Sequence, residues 1–469
     1  MADRLDSIVE SYREDMVKHL SELVKIPSVS VDAEGEYPFG KDVHDAMQYT
    51  LNLGRQLGFD TVKDVDGYAG YFEVGSGEEM IGVLVHLDVV PAATGWSVEP
   101  FGGVVQNNRV YGRGAMDNKG PAISAIYALK ALLDTNPDFA KRVRIIFGGS
   151  EERGMACIRH YIDVEESPTY AFSPDGEYPI INIEKAMMSV SIKKDYQPGS
   201  YGPKIKYIKA GTRGNLVPDL AKMLLVGEDM VTDQAILQDA ADHHGYAVQF
   251  EQKPDGLHVT VTGVSAHASR PEDGKNALGQ LLEMMRRLPD GDDGLLLAAK
   301  QLGERLGDTT DGNRICLNLE DEQSGKMTVN LGVMEADEYK LNLKIDMRCP
   351  ISVSPEEAMQ LYAEGFANTG CECVLDFCSP GHMVEESHPL VQKLLAAYHE
   401  KTGLAPYCMA IGGGTYARMF RNKAVAFGPA FPGKPALYHV PDEYYDIDEM
   451  VLNAQIFAKA LQDLACEEW

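Results

Sequence analysis

The hydrophobic pattern of the first 180 residues alternates between short apolar runs and helical stripes. Apolar runs near 69–74 and 81–87 predict strands that are buried on both faces. The stretch 5–25 repeats apolar residues at helical spacing and ends before Pro27, which predicts one amphipathic helix. Another helical stripe begins at Ala122. This alternation predicts an α/β domain whose central sheet is mixed, mostly parallel, and covered by helices on both faces.

From about residue 185 the pattern changes to an alternation of single apolar and polar residues. The alternating segments are 257–261, 327–333 and 339–347. Such segments predict antiparallel strands with one buried face. Two helices are also predicted: one spans 276–288, and one starts at Ser354, where Pro355 takes the first helical position and Glu357 completes a capping box. Antiparallel strands with helices on one face predict an α+β domain.

The order of these patterns predicts an inserted domain. Helical spacing returns after His382, and the last helix is predicted at 447–464. The simplest arrangement is a first domain made of residues 1–184 and 382–469, with residues 185–381 inserted as a second domain. A chain of 469 residues is too long for one simple core, which agrees with two domains.

Charge and cysteine content narrow the range of functions. Acidic residues outnumber basic ones by 71 to 43, which disfavours nucleic acid and anionic membranes because both bind basic surfaces. No basic leader followed by an apolar stretch opens the sequence, and no run of 18 apolar residues occurs. The eight cysteines are scattered without a Cys-x-x-Cys pair. These features predict a reduced, cytoplasmic protein.

Two polar residues follow the buried run 81–85. His86 ends the run and Asp88 lies two residues later, so both side chains point to the same side of a strand. The carboxylate of Asp88 can then bond one imidazole nitrogen and fix its tautomer, while the other nitrogen binds a metal ion. A histidine that is simply satisfied at a strand end is the alternative.

Acidic residues recur at three further segments that end strands or start helices. Asp117 stands before a predicted helix, Glu151 and Glu152 follow a strand and two glycines, and Asp175 lies in a Pro-Asp-Gly turn. Each has an ordinary explanation, namely a helix cap, solvation or a turn. Ligand sites of α/β sheets lie at the carboxyl ends of their strands. Together with His86, these carboxylates suit zinc, or manganese with its preference for harder ligands.

The chain resembles the co-catalytic zinc exopeptidases, a family that includes aminoacylases, carboxypeptidase G and succinyl-diaminopimelate desuccinylase. The motifs that carry the resemblance are His86-x-Asp88, Gly114-Ala-Met-Asp117-x-Lys119-Gly120, Glu151-Glu152, Ser173-x-Asp175 and a late His439. Within this family, the long insert and the segment Phe-Ser-Pro-Asp-Gly-Glu-Tyr-Pro look most like the PepV-type dipeptidases. The resemblance covers nearly the whole chain and implies a catalytic metal-binding domain with an inserted lid domain.

The resemblance implies two zinc ions per subunit, with manganese or cobalt as substitutes. One ion is held by His86, Asp117 and Asp175, and the other by Asp117, Glu152 and His439. A hydroxide that bridges the ions would attack the substrate. Glu151 matches the general base, which takes the proton of the water and delivers it to the leaving amine. Asp88 supports the catalytic site from behind His86.

The inserted domain is expected to complete the site. His267, in Gly-Val-Ser-Ala-His, resembles the lid histidine that hydrogen-bonds the oxyanion. Asn215 and Arg348 match lid positions that hold the free carboxylate of the substrate, for which the guanidinium fork is well suited. Gly414 and Thr415 would add backbone donors. A satisfied surface histidine and a solvated arginine at a strand end are the alternatives.

The resemblance therefore implies a monomeric metallopeptidase that acts on short peptides, with neither nucleic acid nor a membrane as partner. Hydrolysis of unblocked dipeptides is the leading hypothesis. An N-acyl-amino-acid deacylase would use the same chemistry, and only the shape of the pocket separates the two. A non-catalytic metal-binding scaffold is the third hypothesis, and the intact Glu151 and five metal ligands argue against it.

Overall fold

The computed structural model describes residues 2–135, 137–315, 317–435, 437–467 and 469. The chain divides into two compact units. The first contains the residues up to Ile183 together with Met383–Met409 and Gly414–Trp469, and the second contains Glu184–His382 and Ala410–Gly413. The segment Ala410–Gly413 differs from the predicted boundaries. It joins the second unit because the Lys185 N–H donates to the carbonyl of Ile411.

The elements alternate along the chain. The helices are α1 (Ala2–Ser11), α2 (Arg13–Val24), α3 (Lys41–Leu57), α4 (Lys119–Asp134), α5 (Ala156–Val164), α6 (Met230–His244), α7 (Ala277–Met285), α8 (Gly294–Arg305), α9 (Pro355–Gly365), α10 (Pro389–Thr402) and α11 (Ile447–Ala465). The strands are β1 (Thr61–Val65), β2 (Ala69–Val74), β3 (Met80–His86), β4 (Val104–Gln106), β5 (Arg109–Tyr111), β6 (Arg142–Gly148), β7 (Tyr170–Ser173), β8 (Gly176–Glu177), β9 (Ile180–Glu184), β10 (Ala186–Asp195), β11 (Lys204–Ala210), β12 (Leu220–Val226), β13 (Ala247–Lys253), β14 (Gly256–Thr262), β15 (Glu320–Asp321), β16 (Gly325–Lys326), β17 (Thr328–Asp337), β18 (Lys340–Cys349), β19 (Glu372–Ser379), β20 (His382–Met383), β21 (Cys408–Ile411), β22 (Ala424–Ala426), β23 (Pro429–Ala430) and β24 (Tyr444–Asp446).

The main sheet of the first unit is parallel at its centre. Its strands run in the order β1-β2-β6-β3-β7-β22-β9-β20, and β21 also pairs with β9. The pairs from β6 to β22 are parallel, whereas β1, β2 and β9 pair antiparallel. All seven residues of β3 are buried, as its continuous apolar run predicted. Because His86 lies in register with Gly148, the loops after β3 and β6 leave the sheet at the same edge.

Helices cover both faces of this sheet, as predicted. Val83 and Val85 of β3 share a core with α4 and α11, while Leu84 between them belongs to a second core with α5. This split follows from the alternation of side chains along a strand. The helix α4 is buried along most of its length because it packs against both the sheet and α11.

The second unit is built on an antiparallel sheet, as its alternating pattern predicted. Its eight strands run in the order β13-β14-β12-β11-β17-β18-β10-β19. In β18 the residues Leu341, Leu343, Ile345 and Met347 are buried, while the residues between them are largely more exposed. The buried residues form one core with the helices α6 to α9. The described helices of both units lack the combined length and apolar character that a membrane span requires.

Two local predictions differ from the structure. The stretch 5–25 forms two helices rather than one, and Ser11 Oγ donates to the carbonyl of Ile8 just before the break, where it competes with helical bonding. The helix predicted at 276–288 is limited to α7. The alternative explanation of Asp117 as a helix cap does not apply, because the N-cap position of α4 belongs to Asn118. The predicted cap at Ser354 is present, because its Oγ accepts the N–H of Glu357.

Candidate metal centre

The last residue of β3 carries an imidazole that is oriented from behind. His86 is 1% exposed, and its Nδ1 lies 2.9 Å from the backbone carbonyl of Asp88. Since a carbonyl only accepts, Nδ1 carries a proton, and Nε2 is the nitrogen that faces the carboxylates. Nε2 lies 3.0 Å from Asp117 Oδ1 and 3.8 Å from Asp175 Oδ1. The nearer orienting group is therefore the backbone carbonyl of Asp88, and its carboxylate, the group predicted from the sequence, lies 3.5 Å from the same nitrogen.

The carboxylate of Asp88 has a different partner, the turn that follows β6. Its two oxygens accept the backbone N–H groups of Glu151 at 3.0 Å and of Glu152 at 3.1 Å. The Asp88 side chain is fully buried, so both bonds are shielded from water. They fix the start of the turn that carries both glutamates. The sequence did not predict this contact.

Asp117 presents one oxygen to each of two histidines. It lies between β5 and α4, and its peptide bond to Asn118 is cis. Oδ1 lies 3.0 Å from Nε2 of His86, and Oδ2 lies 3.2 Å from Nε2 of His439. A carboxylate with its two oxygens directed at different nitrogen ligands has the geometry of a bridging group.

His439 reaches Asp117 from the loop between β23 and β24. Its backbone is left-handed, with φ of 62°, and its side chain is half exposed. Besides Asp117, its Nε2 lies 2.9 Å from Oε1 of Glu152. Asp117 and Glu152, which lies in the turn after β6, thus meet at Nε2 of His439.

The electrostatics of this cluster reflect crowded negative charge. Burial raises the pKa of Glu151 well above its ordinary value, and the neighbouring Asp175 adds to the effect. Burial likewise raises the pKa of Asp175. It also raises that of Glu152, where Asp117 contributes. Burial opposes the charge on His439, but Asp117 and Glu152 outweigh it and raise its pKa to about 10. The cluster therefore favours added positive charge, as protons or as cations.

The donor set fits divalent metal ions. Two groups of donor atoms lie within 4.8 Å of one another: His86, Glu151 and Asp175, and His86, Asp117 and Glu152. Imidazole nitrogen with carboxylate oxygen suits zinc, and a set rich in oxygen also suits manganese. The first group includes Glu151, which the sequence assigned as a general base. Proximity alone therefore does not separate the base from the ligands.

In the second unit, two loops with predicted substrate contacts lie together. The Ala268 N–H donates to the carbonyl of Asn215 at 3.0 Å, and Leu216 bridges to His267. The Ser269 N–H donates to Nδ1 of His267, which puts the proton of the neutral ring on Nε2. The side chain of Asn330 in β17 braces the first loop through the carbonyls on either side of Asn215.

Arg348 of β18 is buried beside these loops. It is paired in register with Thr328, whose hydroxyl donates to the carbonyl of Ala268. Its guanidinium donates to both oxygens of Asp346, at 2.6 and 2.8 Å, and to the carbonyl of Gly412 at 2.8 Å. Three of its five N–H groups are therefore engaged within the second unit. This arrangement differs from that of a solvated arginine.

The remaining predicted residues lie in the first unit. Gly414 lies against the side chain of Arg418. Thr415 caps a short 3-10 helix, Tyr416–Met419, by accepting the N–H of Ala417. The structure thus divides the predicted site residues, with the metal ligands, Gly414 and Thr415 in one unit and Asn215, His267 and Arg348 in the other.

Sequence reasoning missed three residues that support the cluster. Glu443 is fully buried and accepts the N–H groups of Met116 and Asp117. Arg113 forms a buried ion pair with it at 2.5 Å. Asn118 donates to the carbonyl of Pro174, before the predicted ligand Asp175. The sequence did offer one signal for these residues, which is that they lie close to the motifs along the chain. Arg113 lies between two glycines, and Glu443 lies four residues after His439.

The chain is similar to known peptidases over nearly its whole length. The profile of peptidase family M20/M25/M40 matches residues 82–463. The protein named "Putative dipeptidase YtjP" of Bacillus subtilis is 36% identical over 461 residues, which cover 97% of this chain and 98% of that protein. A Staphylococcus aureus protein named "Putative dipeptidase MW1694" is 33% identical over 474 residues and covers 98% of this chain and 99% of its own length.

Solved structures share the fold at low sequence identity. The di-peptidase Dug1p of Saccharomyces cerevisiae matches with a TM-score of 0.61 and 16% identity, covering 99% of this chain and 98% of that chain. Human carnosine dipeptidase 1 matches with a TM-score of 0.57 and 14% identity, covering 98% of both chains. The resemblance inferred from the motifs is thereby confirmed. The chain belongs to peptidase family M20/M25/M40, and it is a metallopeptidase.

Proposed function

We propose that this metallopeptidase is a dipeptidase that cleaves unblocked dipeptides with two co-catalytic metal ions. The observation that carries the proposal is the carboxylate of Asp117, whose two oxygens lie 3.0 and 3.2 Å from the ring nitrogens of His86 and His439. The cited relatives, which match nearly the whole chain, bear dipeptidase names, and this supports dipeptides as the substrate class.

The proposed metal ligands fall into two sets that share Asp117. His86, Asp117 and Asp175 would hold one ion, and Asp117, Glu152 and His439 would hold the other. Zinc is the expected metal, with manganese or cobalt as substitutes, because the donors combine imidazole and carboxylate. When bound, the ions would polarise the scissile carbonyl and lower the pKa of a water molecule.

Glu151 would carry the proton during hydrolysis. As the resemblance to the family's general base implies, its carboxylate would accept a proton from water and pass it to the leaving amine. The bond from its N–H to Asp88 fixes the backbone at this position. A fixed backbone limits the positions that the carboxylate samples, and such positioning supports catalysis.

The second unit would bind the substrate. His267 would donate from Nε2 to the developing oxyanion, because its Nδ1 accepts the N–H of Ser269. Arg348 would use its two remaining N–H groups, with Asn215, to hold the carboxylate at the C-terminal end of a dipeptide. Gly414 and Thr415 would add backbone donors to this pocket.

The size of the second unit supports two further parts of the proposal. Its sheet already contains eight strands within one chain. We infer that the enzyme acts as a monomer, because this unit supplies a large second domain within one chain. A pocket that ends at Arg348 on one side and is walled on the other would admit one residue on each side of the scissile bond.

A substrate panel tests the proposal. Protein reconstituted with zinc, manganese or cobalt is assayed on a dipeptide, the matching tripeptide, the dipeptide amide and an N-acetyl amino acid. The dipeptide should be cleaved fastest, the tripeptide poorly and the amide hardly at all. The Glu151→Ala variant, purified in parallel, controls for contaminating peptidases. Faster cleavage of the N-acetyl amino acid would replace the dipeptidase proposal with the deacylase hypothesis.

A further inference from the structure

A buried ion pair lies directly behind the proposed bridging carboxylate. Arg113 is 1% exposed and Glu443 is fully buried, and Nη1 of Arg113 lies 2.5 Å from Oε2 of Glu443. The other carboxylate oxygen, Oε1, accepts two backbone N–H groups, from Met116 at 2.8 Å and from Asp117 at 3.1 Å. One side chain therefore holds the two successive peptide N–H groups that flank Met116 and lead into Asp117.

The backbone around this pair is fixed by further bonds. The Gly112 N–H donates to the carbonyl of Glu443 at 2.9 Å, and the Arg113 N–H donates to the carbonyl of Pro100 at 2.8 Å. Glu443 also lies on the same loop as His439, four residues later. A single residue thus connects the loop that carries one proposed ligand to the loop that carries another.

The pair is poorly explained as a device for stability. Two hydrophobic side chains of similar volume often stabilise a fold as well as a buried ion pair, because both charges lose their water. Nε and Nη2 of Arg113 find no hydrogen-bond partner among the residues that the structure describes, although the guanidinium lies 5.3 Å from the ring of Trp96. Charge is therefore retained here at a site where it is not fully satisfied.

We propose that Glu443 is a positioning residue that holds the backbone of Asp117 so that its two carboxylate oxygens are directed at separate metal ions, with Arg113 holding Glu443 in place. This inference rests on the proposed function, because it assumes that Asp117 bridges two ions. Groups that orient metal ligands commonly change metal affinity by about 10- to 100-fold when they are removed.

Two double variants separate positioning from stability. Arg113→Met with Glu443→Met removes both charges and both acceptors. Arg113→Met with Glu443→Gln removes the same charges but keeps a carbonyl oxygen for the N–H groups of Met116 and Asp117. Both variants leave two buried N–H donors without an acceptor, the backbone groups of Met116 and Asp117 in the Met variant and the amide N–H₂ group in the Gln variant, so their stabilities should be similar. The Gln variant should nevertheless bind metal more tightly.

The readout is the affinity of metal-free protein for Co²⁺, measured by calorimetric titration and by visible absorption. Thermal unfolding of the same metal-free samples is measured in parallel. The Met double variant should bind Co²⁺ about 10- to 100-fold more weakly than wild type, and the Gln double variant should recover most of that loss. A control pair, Arg144→Met with Glu73→Met, removes a comparable ion pair within the first unit and should leave Co²⁺ affinity unchanged.

Equal Co²⁺ affinity in the two double variants, or affinity losses that follow their melting temperatures, overturns the inference. If the double variants do not fold, Glu443→Asp replaces them, since it keeps the charge but draws the oxygens back by one carbon–carbon bond. Wild-type affinity in Glu443→Asp also overturns the inference. Wild-type protein that binds two Co²⁺ ions without cleaving dipeptides refutes the proposed substrate but leaves this inference standing. Wild-type protein that binds fewer than two refutes both.

Discussion

Replacing Asp88 by asparagine should weaken the turn that carries the two glutamates. The native carboxylate accepts two N–H groups at 3.0 and 3.1 Å in a fully buried position. A hydrogen bond to a charged group contributes about 1.5–3 kcal/mol, whereas a neutral one contributes about 1 kcal/mol. Asparagine keeps one acceptor and turns an N–H₂ group toward the second N–H. The first unit should therefore lose about 2–5 kcal/mol of its free energy of unfolding.

The same substitution should lower the rate while leaving the orientation of His86 intact. The imidazole is held by the backbone carbonyl of residue 88, which asparagine retains. Displacement of Glu151 by about 1 Å is enough to lower kcat by about 10²-fold. Calorimetric unfolding of the metal-free protein, metal content and kcat are measured together. Asp60→Asn, at an exposed position of the same unit, is the matched control and should change none of them.

One result would refute this reasoning. If Asp88→Asn loses metal but keeps the wild-type stability of the metal-free protein, the carboxylate acts mainly on His86. The interpretation based on sequence alone would then be correct, and the hydrogen bonds to the glutamate turn would be unimportant.

The remaining predictions concern the metal ions, the base and the substrate. Dialysis against a chelator should abolish activity, and zinc, manganese or cobalt should restore it. At a free metal concentration of about 100 times the dissociation constant, binding should also raise the free energy of unfolding by about 2.7 kcal/mol, measured as a higher melting temperature. Glu151→Ala should retain two metal ions by elemental analysis and lose about 10²–10⁴ in kcat, whereas retention of both ions by Glu152→Ala instead would mean that the two roles are exchanged. Arg348→Ala is made together with Asp346→Asn, so that no buried carboxylate is left unpaired. Loss of a hydrogen bond to a charged group, about 1.5–3 kcal/mol, should lower kcat/KM for a dipeptide by about 10- to 150-fold and have little effect on the dipeptide amide. Equal losses on both substrates would contradict carboxylate binding. His267→Ala should lower kcat by about 10²-fold with unchanged metal content, and a wild-type kcat would exclude the oxyanion role.

The helices and strands could be predicted from the sequence wherever the burial of side chains alone determines the type of element. The strand β3 is apolar up to His86 because both of its faces are covered. The alternation in β18 likewise reflects a sheet with one buried face. In both cases the pattern records an environment that is the same along the whole element.

Features that depend on a single contact could not be predicted in this way. Periodicity gives the side to which Asp88 points but not its partner, which lies 63 residues later in the turn after β6. The interruption between α1 and α2 occupies one residue, and the apolar spacing continues across it. The segment Ala410–Gly413 joins the second unit through backbone bonds, which leave no trace in composition.

The position of β22 has a consequence for the synthesis of the protein. This strand, Ala424–Ala426, pairs with β7 in the main sheet, yet it is translated about 250 residues after β7. At about 5–20 residues per second, a ribosome needs roughly 12–50 s to cover that distance. During this interval one edge of β7 has no native partner, and an open strand edge is a template for aggregation. Because His439 lies beyond β22, a nascent chain also lacks one of the proposed metal ligands throughout this interval, so chaperone protection of the β7 edge should matter most in that window.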